Sequence, residues 1–139
     1  MSSPTTTLLL IDGDDMDRSY YAHRLKICSP EYVVLEAKDG ESALELYRSQ
    51  RVDCIVTEFE LSDMSLFQLL LELVPPDGPL PVAVIVLARK ILPAIAELAR
   101  NHGAQACLMK RFTSGDELEQ FILRAIAAVG PLRKGRHFH

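Results

Sequence analysis

The sequence predicts an α/β domain: a parallel β-sheet covered by helices on both faces. Three observations predict it. Five short apolar runs alternate with five stretches of helical periodicity. The runs are continuously apolar rather than alternating, as expected of strands buried on both faces. At 139 residues the chain matches one domain of about 100 to 150 residues.

The first run, Thr7 to Ile11, is too short for a helix and closes on Asp12-Gly13-Asp14-Asp15, so it reads as a buried strand. Asp14 or Asp15 then caps a helix whose inner face carries Tyr21, Leu25 and Cys28 and which Ser29-Pro30 stops. Tyr32 to Ala37 is the second strand. Asp39 caps a helix through about Ser49 with Ala43, Leu44 and Tyr47 as its stripe. Asp53 to Thr57 is the third strand, and Leu66, Leu69, Leu70 and Leu73 mark a third helix ended by the proline-rich stretch 75–79.

Val82 to Leu87 is the fourth strand. Ile95, Leu98 and His102 share one face of the fourth helix, with Gly103 in a C-cap position. Ala106 to Met109 is the fifth strand. Ser114-Gly115-Asp116-Glu117 fits a capping box opening a last helix through about Ala128, with Leu118, Phe121, Ile122, Ala125 and Val129 inward. The domain is expected over residues 1–129, leaving 130–139 as a tail or linker.

Composition excludes several function classes. Hydrophobic residues make up 48% and charged residues 24%, too apolar for a disordered chain. No stretch reaches the roughly 18 apolar residues of a membrane helix, and the start MSSPTTT lacks the pattern of a signal peptide. A cytoplasmic protein without membrane contact is expected. A net charge of −4 offers no electrostatic footprint for nucleic acid. Cys28, Cys54 and Cys107 are odd in number and far apart, which suits small buried hydrophobes better than disulfides or zinc. His23 and His102 read as ordinary helix residues, His137 and His139 as tail residues, and Arg133, Lys134 and Arg136 as a solvated basic stretch.

Ligands and reactive groups of open parallel sheets lie beyond the C-terminal strand ends. Those ends carry Asp12-Gly13-Asp14-Asp15, Glu58 with Glu60, Ala88, and Lys110. Two carboxylates about 4 Å apart repel by about 1 kcal/mol in water and about 4 kcal/mol at an effective dielectric near 20, so the cluster needs a cation. Lys110 or a hard divalent metal meets that need.

The motifs LLLIDGDD at 8 to 15, DCIVTEFELSDMS at 53 to 65, Gly103-Ala104 and LMKRF at 108 to 112 make the chain, from Thr7 to Ala128, resemble the receiver domains of bacterial two-component response regulators. The resemblance implies a flavodoxin-like (βα)5 three-layer sandwich with strand order 2-1-3-4-5. It also implies phosphoryl transfer from a phosphohistidine to an aspartate at the end of the third strand, assisted by Mg²⁺. Glu58 takes that phosphoacceptor position. Asp12 and Lys110 match retained active-site residues. Gly13 replaces the second member of the acidic pair, Ala88 the phosphoryl-binding Ser/Thr, Cys107 the aromatic switch residue, and Arg111 the usual proline.

These departures all oppose the family chemistry. Gly13 removes a direct carboxylate ligand, so no cofactor is expected and any residual Mg²⁺ would be held weakly by Asp12, Asp14 and Glu58. Glu58 displaces its carboxylate by about a bond length, and errors near 1 Å cost about a hundredfold in rate. Ala88 has no hydroxyl to donate. The reading is a degenerate, non-enzymatic receiver with no catalytic residue, acting as a phosphorylation-independent protein-interaction module. Its expected partner is a histidine kinase, an output domain or another signalling protein, with a homodimer through the fourth helix, fifth strand and fifth helix as a further option. A working receiver within a hybrid kinase or phosphorelay is the alternative. A flavin or nucleotide binder is disfavoured, because the loop DGDD repels a phosphate.

Overall fold

The computed structural model describes residues 5–74 and 80–137, with only the helical backbone described beyond Val129. The proline-rich 75–79 stretch lies outside the described residues. Five strands, β1 (Thr6–Ile11), β2 (Tyr32–Ala37), β3 (Cys54–Thr57), β4 (Ala83–Ala88) and β5 (Ala106–Met109), form one sheet in the order β2-β1-β3-β4-β5. All four pairings are parallel. The register sets Ile11 beside Thr57 and Thr57 beside Val86, so the C-terminal ends of β1, β3 and β4 finish along one edge.

The helices are α1 (Asp15–Cys28), α2 (Gly40–Ser49), α3 (Leu66–Leu73), α4 (Pro93–Asn101) and α5 (Gly115–His137). They divide the core into two layers. Leu9, Ile11, Ile55, Val84 and Val86 pack with α2 and α3 on one face. Leu8, Leu10, Val56, Ile85 and Leu87 pack with Tyr21 and Leu25 of α1 and with Leu118 and Ile122 of α5 on the other. Alternate residues of each central strand thus enter opposite layers, which is why those strands carry no polar alternation.

Local chemistry fixes the helix starts. Asp14 accepts a hydrogen bond from the Asp17 N–H and Asp39 from that of Ser42. Ser65 and Gln68 form a capping box on α3, and Ser114 and Glu117 form the expected one on α5. Gly103 ends α4 with φ of 113°, a conformation that favours glycine.

Four expectations are corrected. Asp53 precedes β3, because its carboxylate is occupied at the opposite sheet end, accepting from the Thr7 N–H at 2.8 Å. On α4 the buried residues are Ala96 and Ala99, whereas Leu98 and His102 are exposed. Helix α5 continues past Ala128 to His137. Of the cysteines only Cys54 is fully buried, while Cys28 and Cys107 are half-buried. Among the described residues, no helix is long and apolar enough to cross a membrane.

Burial decides the response to substitution. Ile55, fully buried at the centre of the sheet, leaves a cavity as Ile55→Ala and is expected to lose about 3 kcal/mol in denaturant unfolding. Leu71, 73% exposed, is expected to change stability by less than about 0.5 kcal/mol as Leu71→Ala.

Candidate functional site

Lys110 gathers the carboxylates at the C-terminal edge of the sheet. It follows β5 and opens a 3₁₀ turn, Lys110–Phe112. The Tyr21 hydroxyl holds this turn from beneath, lying 3.1 Å from the Lys110 carbonyl and 3.0 Å from that of Thr113. The Lys110 Nζ sits 2.7 Å from Asp12 Oδ2, 2.9 Å from Asp17 Oδ2 and 3.2 Å from Glu58 Oε2. Its side chain is 9% exposed and that of Asp12 is 11% exposed.

Burial alone would lower the Lys110 pKa. Hydrogen bonds to Asp12 and Asp17, the negative charge of Asp12 and the hydrogen bond to Glu58 outweigh it and hold the ammonium above the ordinary lysine range. Asp17 moves the other way. The hydrogen bond from Lys110 lowers its pKa against an opposing effect of burial, with the charge of Lys110 and the contact from Arg89 adding to the depression.

The second carboxylate oxygens of Asp12 and Glu58 are engaged by backbone. Asp12 Oδ1 accepts from the Asp14 N–H at 2.9 Å, and Glu58 Oε1 accepts from the Phe59 N–H at 3.1 Å. Arg18 braces the loop after β1, donating to the Asp12 carbonyl at 2.7 Å and pairing with Asp15 and Glu36. Glu58 is therefore oriented from both ends, by a backbone amide and by Lys110, with an 18% exposed side chain.

The sequence-predicted residues divide into three groups. Asp12, Glu58 and Lys110 meet. Asp14 does not contact Lys110: its Oδ1 caps α1, and its Oδ2 receives Arg89. Gly13 is exposed beside them and brings no side chain, and Glu60 is exposed outside the cluster. Ala88 is buried at the end of β4, and the half-buried Cys107 directs its thiol to the Ala96 carbonyl at 3.8 Å, with burial raising its pKa.

The sequence reading missed Asp17 and Arg89. Asp17 sits in the first turn of α1, three residues after its cap, where a carboxylate also suits the helix dipole. Arg89 follows the last residue of β4 and reaches both Asp14 and Asp17. The expected fourth strand, Val82 to Leu87, put Ala88 at the strand end; β4 runs one residue further, to Ala88, which makes Arg89 the first residue past it. Among the described residues, no group of three or more His, Cys, Asp or Glu side chains is arranged to hold a metal ion. The expected set of Asp12, Asp14 and Glu58 does not assemble, because cations and amides already take its oxygens, so the residues present do not fit Mg²⁺.

A five-stranded parallel sheet in this order, with a lysine drawn onto acidic groups at its C-terminal edge, is the architecture of a signalling receiver. The sequence matches the response regulator receiver domain family over residues 8–122, and the chain belongs to that family. Among characterised relatives it is 36% identical over 112 residues to the transcriptional regulatory protein UhpA of Salmonella typhimurium, and 35% identical to UhpA of Escherichia coli. Each match covers 81% of this chain and 54% of UhpA, so the chain spans about half the length of these relatives. The fold is shared with the receiver domain of the response regulator NarL from Mycobacterium tuberculosis, at a TM-score of 0.79 and 24% identity, covering 90% of this chain and 98% of that one. It is also shared with CheY4 of Vibrio cholerae, at a TM-score of 0.76 and 21% identity, covering 88% and 99%.

The two pKa shifts set the pH limits of the cluster's contribution to stability. Asp17 titrates below its ordinary 3.8, so its contribution is present above that value and is lost as pH falls through the lower folded value. Lys110 titrates above its ordinary 10.5, so its contribution is complete below that value and is lost as pH rises through the higher folded value. In denaturant unfolding at stepped pH, Asp17→Asn is expected to flatten the loss of stability below pH 3.8 relative to the parent. Lys110→Met leaves Asp12 without its cation and is expected to cost about 3 kcal/mol at neutral pH.

Proposed function

We propose that the chain is a cytoplasmic, non-enzymatic receiver module that signals through protein contact without requiring phosphorylation. The observation that carries this reading is the closed cluster: Lys110 already holds Asp12, Asp17 and Glu58. In a working receiver the corresponding lysine would take a phosphoryl oxygen. Here Glu58 itself offers a carboxylate oxygen to that lysine, at 3.2 Å. Ala88 provides no hydroxyl for an incoming phosphoryl group, and the Cys107 thiol, turned to the Ala96 carbonyl, replaces the ring that would report its arrival.

The family points to a histidine kinase, an output domain or another signalling protein as partner. The name of UhpA, a transcriptional regulatory protein, favours transcriptional output for a longer protein containing this receiver. The surface formed by α4, β5 and α5 is the proposed contact face, for a partner or for a second copy. Its α4 portion presents Leu98 to solvent.

Intact-mass measurement after incubation with Mg²⁺ and acetyl phosphate tests the reading. The parent protein is expected to gain no phosphoryl group, and its α4–β5–α5 face should show the same amide exchange with and without the donor. A phosphoryl adduct that disappears in Glu58→Gln would sink the proposal and establish a working receiver with a glutamate acceptor.

A further inference from the structure

We propose that Arg89 is a resident cation that closes the acidic site to divalent metal and ties the exit of β4 to the start of α1. This inference rests on the reading of a receiver without phosphorylation chemistry and concerns what occupies the site in its place. The Arg89 guanidinium reaches Asp14 Oδ2 and lies 3.2 Å from Asp17 Oδ2. The same Asp17 oxygen receives Lys110 at 2.9 Å. Asp17 Oδ2 therefore joins two cations, and the pair covers four carboxylates: Asp12, Asp14, Asp17 and Glu58.

A divalent ion entering here has to displace one of these cations. Mg²⁺ demands near-octahedral oxygen geometry and gives up its water reluctantly, whereas a guanidinium keeps its charge at every accessible pH and delivers several N–H donors in a plane. Arg89 also holds Asp14 in place: one Asp14 oxygen caps α1 and the other faces the guanidinium. Both oxygens of the residue that the sequence suggested as a substitute ligand are thereby already engaged.

The missing carboxylate at Gly13 is a separate obstacle, and space does not impose it. A Cβ at Gly13 would meet only the Lys38 carbonyl oxygen, at 3.6 Å, an ordinary contact. Its backbone is not in the positive-φ region. Gly13→Asp is thus compatible with the fold and restores one ligand while leaving Arg89 in place. Arg89, with a 65% exposed side chain, can be removed without opening the core.

The two obstacles separate experimentally. Mn²⁺ binding to the full chain is measured by water-proton relaxation for the parent, Gly13→Asp, Arg89→Ala and the double variant, with circular dichroism as the check on folding. The double variant is expected to bind Mn²⁺ about tenfold more tightly than Gly13→Asp alone. Indistinguishable affinity in the two backgrounds, whether both bind or neither does, overturns the assignment of Arg89 as the occupying cation. Amide exchange tests the tether: Arg89→Ala should speed exchange over residues 89–92, and an unchanged rate there refutes the mechanical part. No phosphodonor is present, so phosphorylation of the parent in the mass experiment would defeat the functional reading while leaving the Mn²⁺ comparison to stand or fall alone.

Discussion

The central strands β1, β3 and β4 have no face turned to water, and most of the architecture follows from that constraint. Their side chains alternate between two apolar layers, so helices must cover both faces of the sheet. Parallel connection then places the strand C-termini along one edge. Polar residues excluded from the strands collect there: Asp12 after β1, Glu58 after β3, Arg89 after β4 and Lys110 after β5. The apolar core thus determines where the charges meet, and the charges contribute little to deciding the fold.

At that edge the governing term is the desolvation of Lys110. A nearly buried ammonium is unfavourable by itself, and three carboxylates within 3.2 Å reverse the balance. The arrangement satisfies each partner by more than one route. Glu58 has a backbone amide as well as the lysine, Asp12 has the Asp14 amide, and Asp17 has Arg89. A site with its donors and acceptors paired internally has a reduced need for an external ion.

The strands were legible because continuous apolar runs of four to six residues have few other solutions. The caps at Asp39 and Ser114 were legible, and the first was narrowed to Asp14 or Asp15, because caps act through local backbone geometry. The buried face of α4 was not, since its stripe is made of Ala96 and Ala99 while larger apolar residues point outward. Hydrophobicity ranks Leu98 above either alanine; close packing of a helix on a sheet favours the smaller residue. The full extent of α5 also escaped the sequence reading, which took Gly130-Pro131 as the start of a tail.

The sequence by itself determined the parallel α/β class, the strand-end position of Asp12, Glu58 and Lys110, and the residue types Gly13, Ala88 and Cys107, which bring no carboxylate, hydroxyl or aromatic ring. These are properties of residue type and chain order. Only the tertiary structure decided that Asp17 completes the lysine's shell and that Arg89 bridges Asp14 to Asp17. Those residues lie more than seventy positions apart in the chain. Their meeting depends on the helical phase of α1 and the register of β1, β3 and β4, which no local pattern encodes. CIVTEFELSD places Glu58 at the C-terminal end of β3, and the fold brings the Lys110 ammonium to within 3.2 Å of its carboxylate.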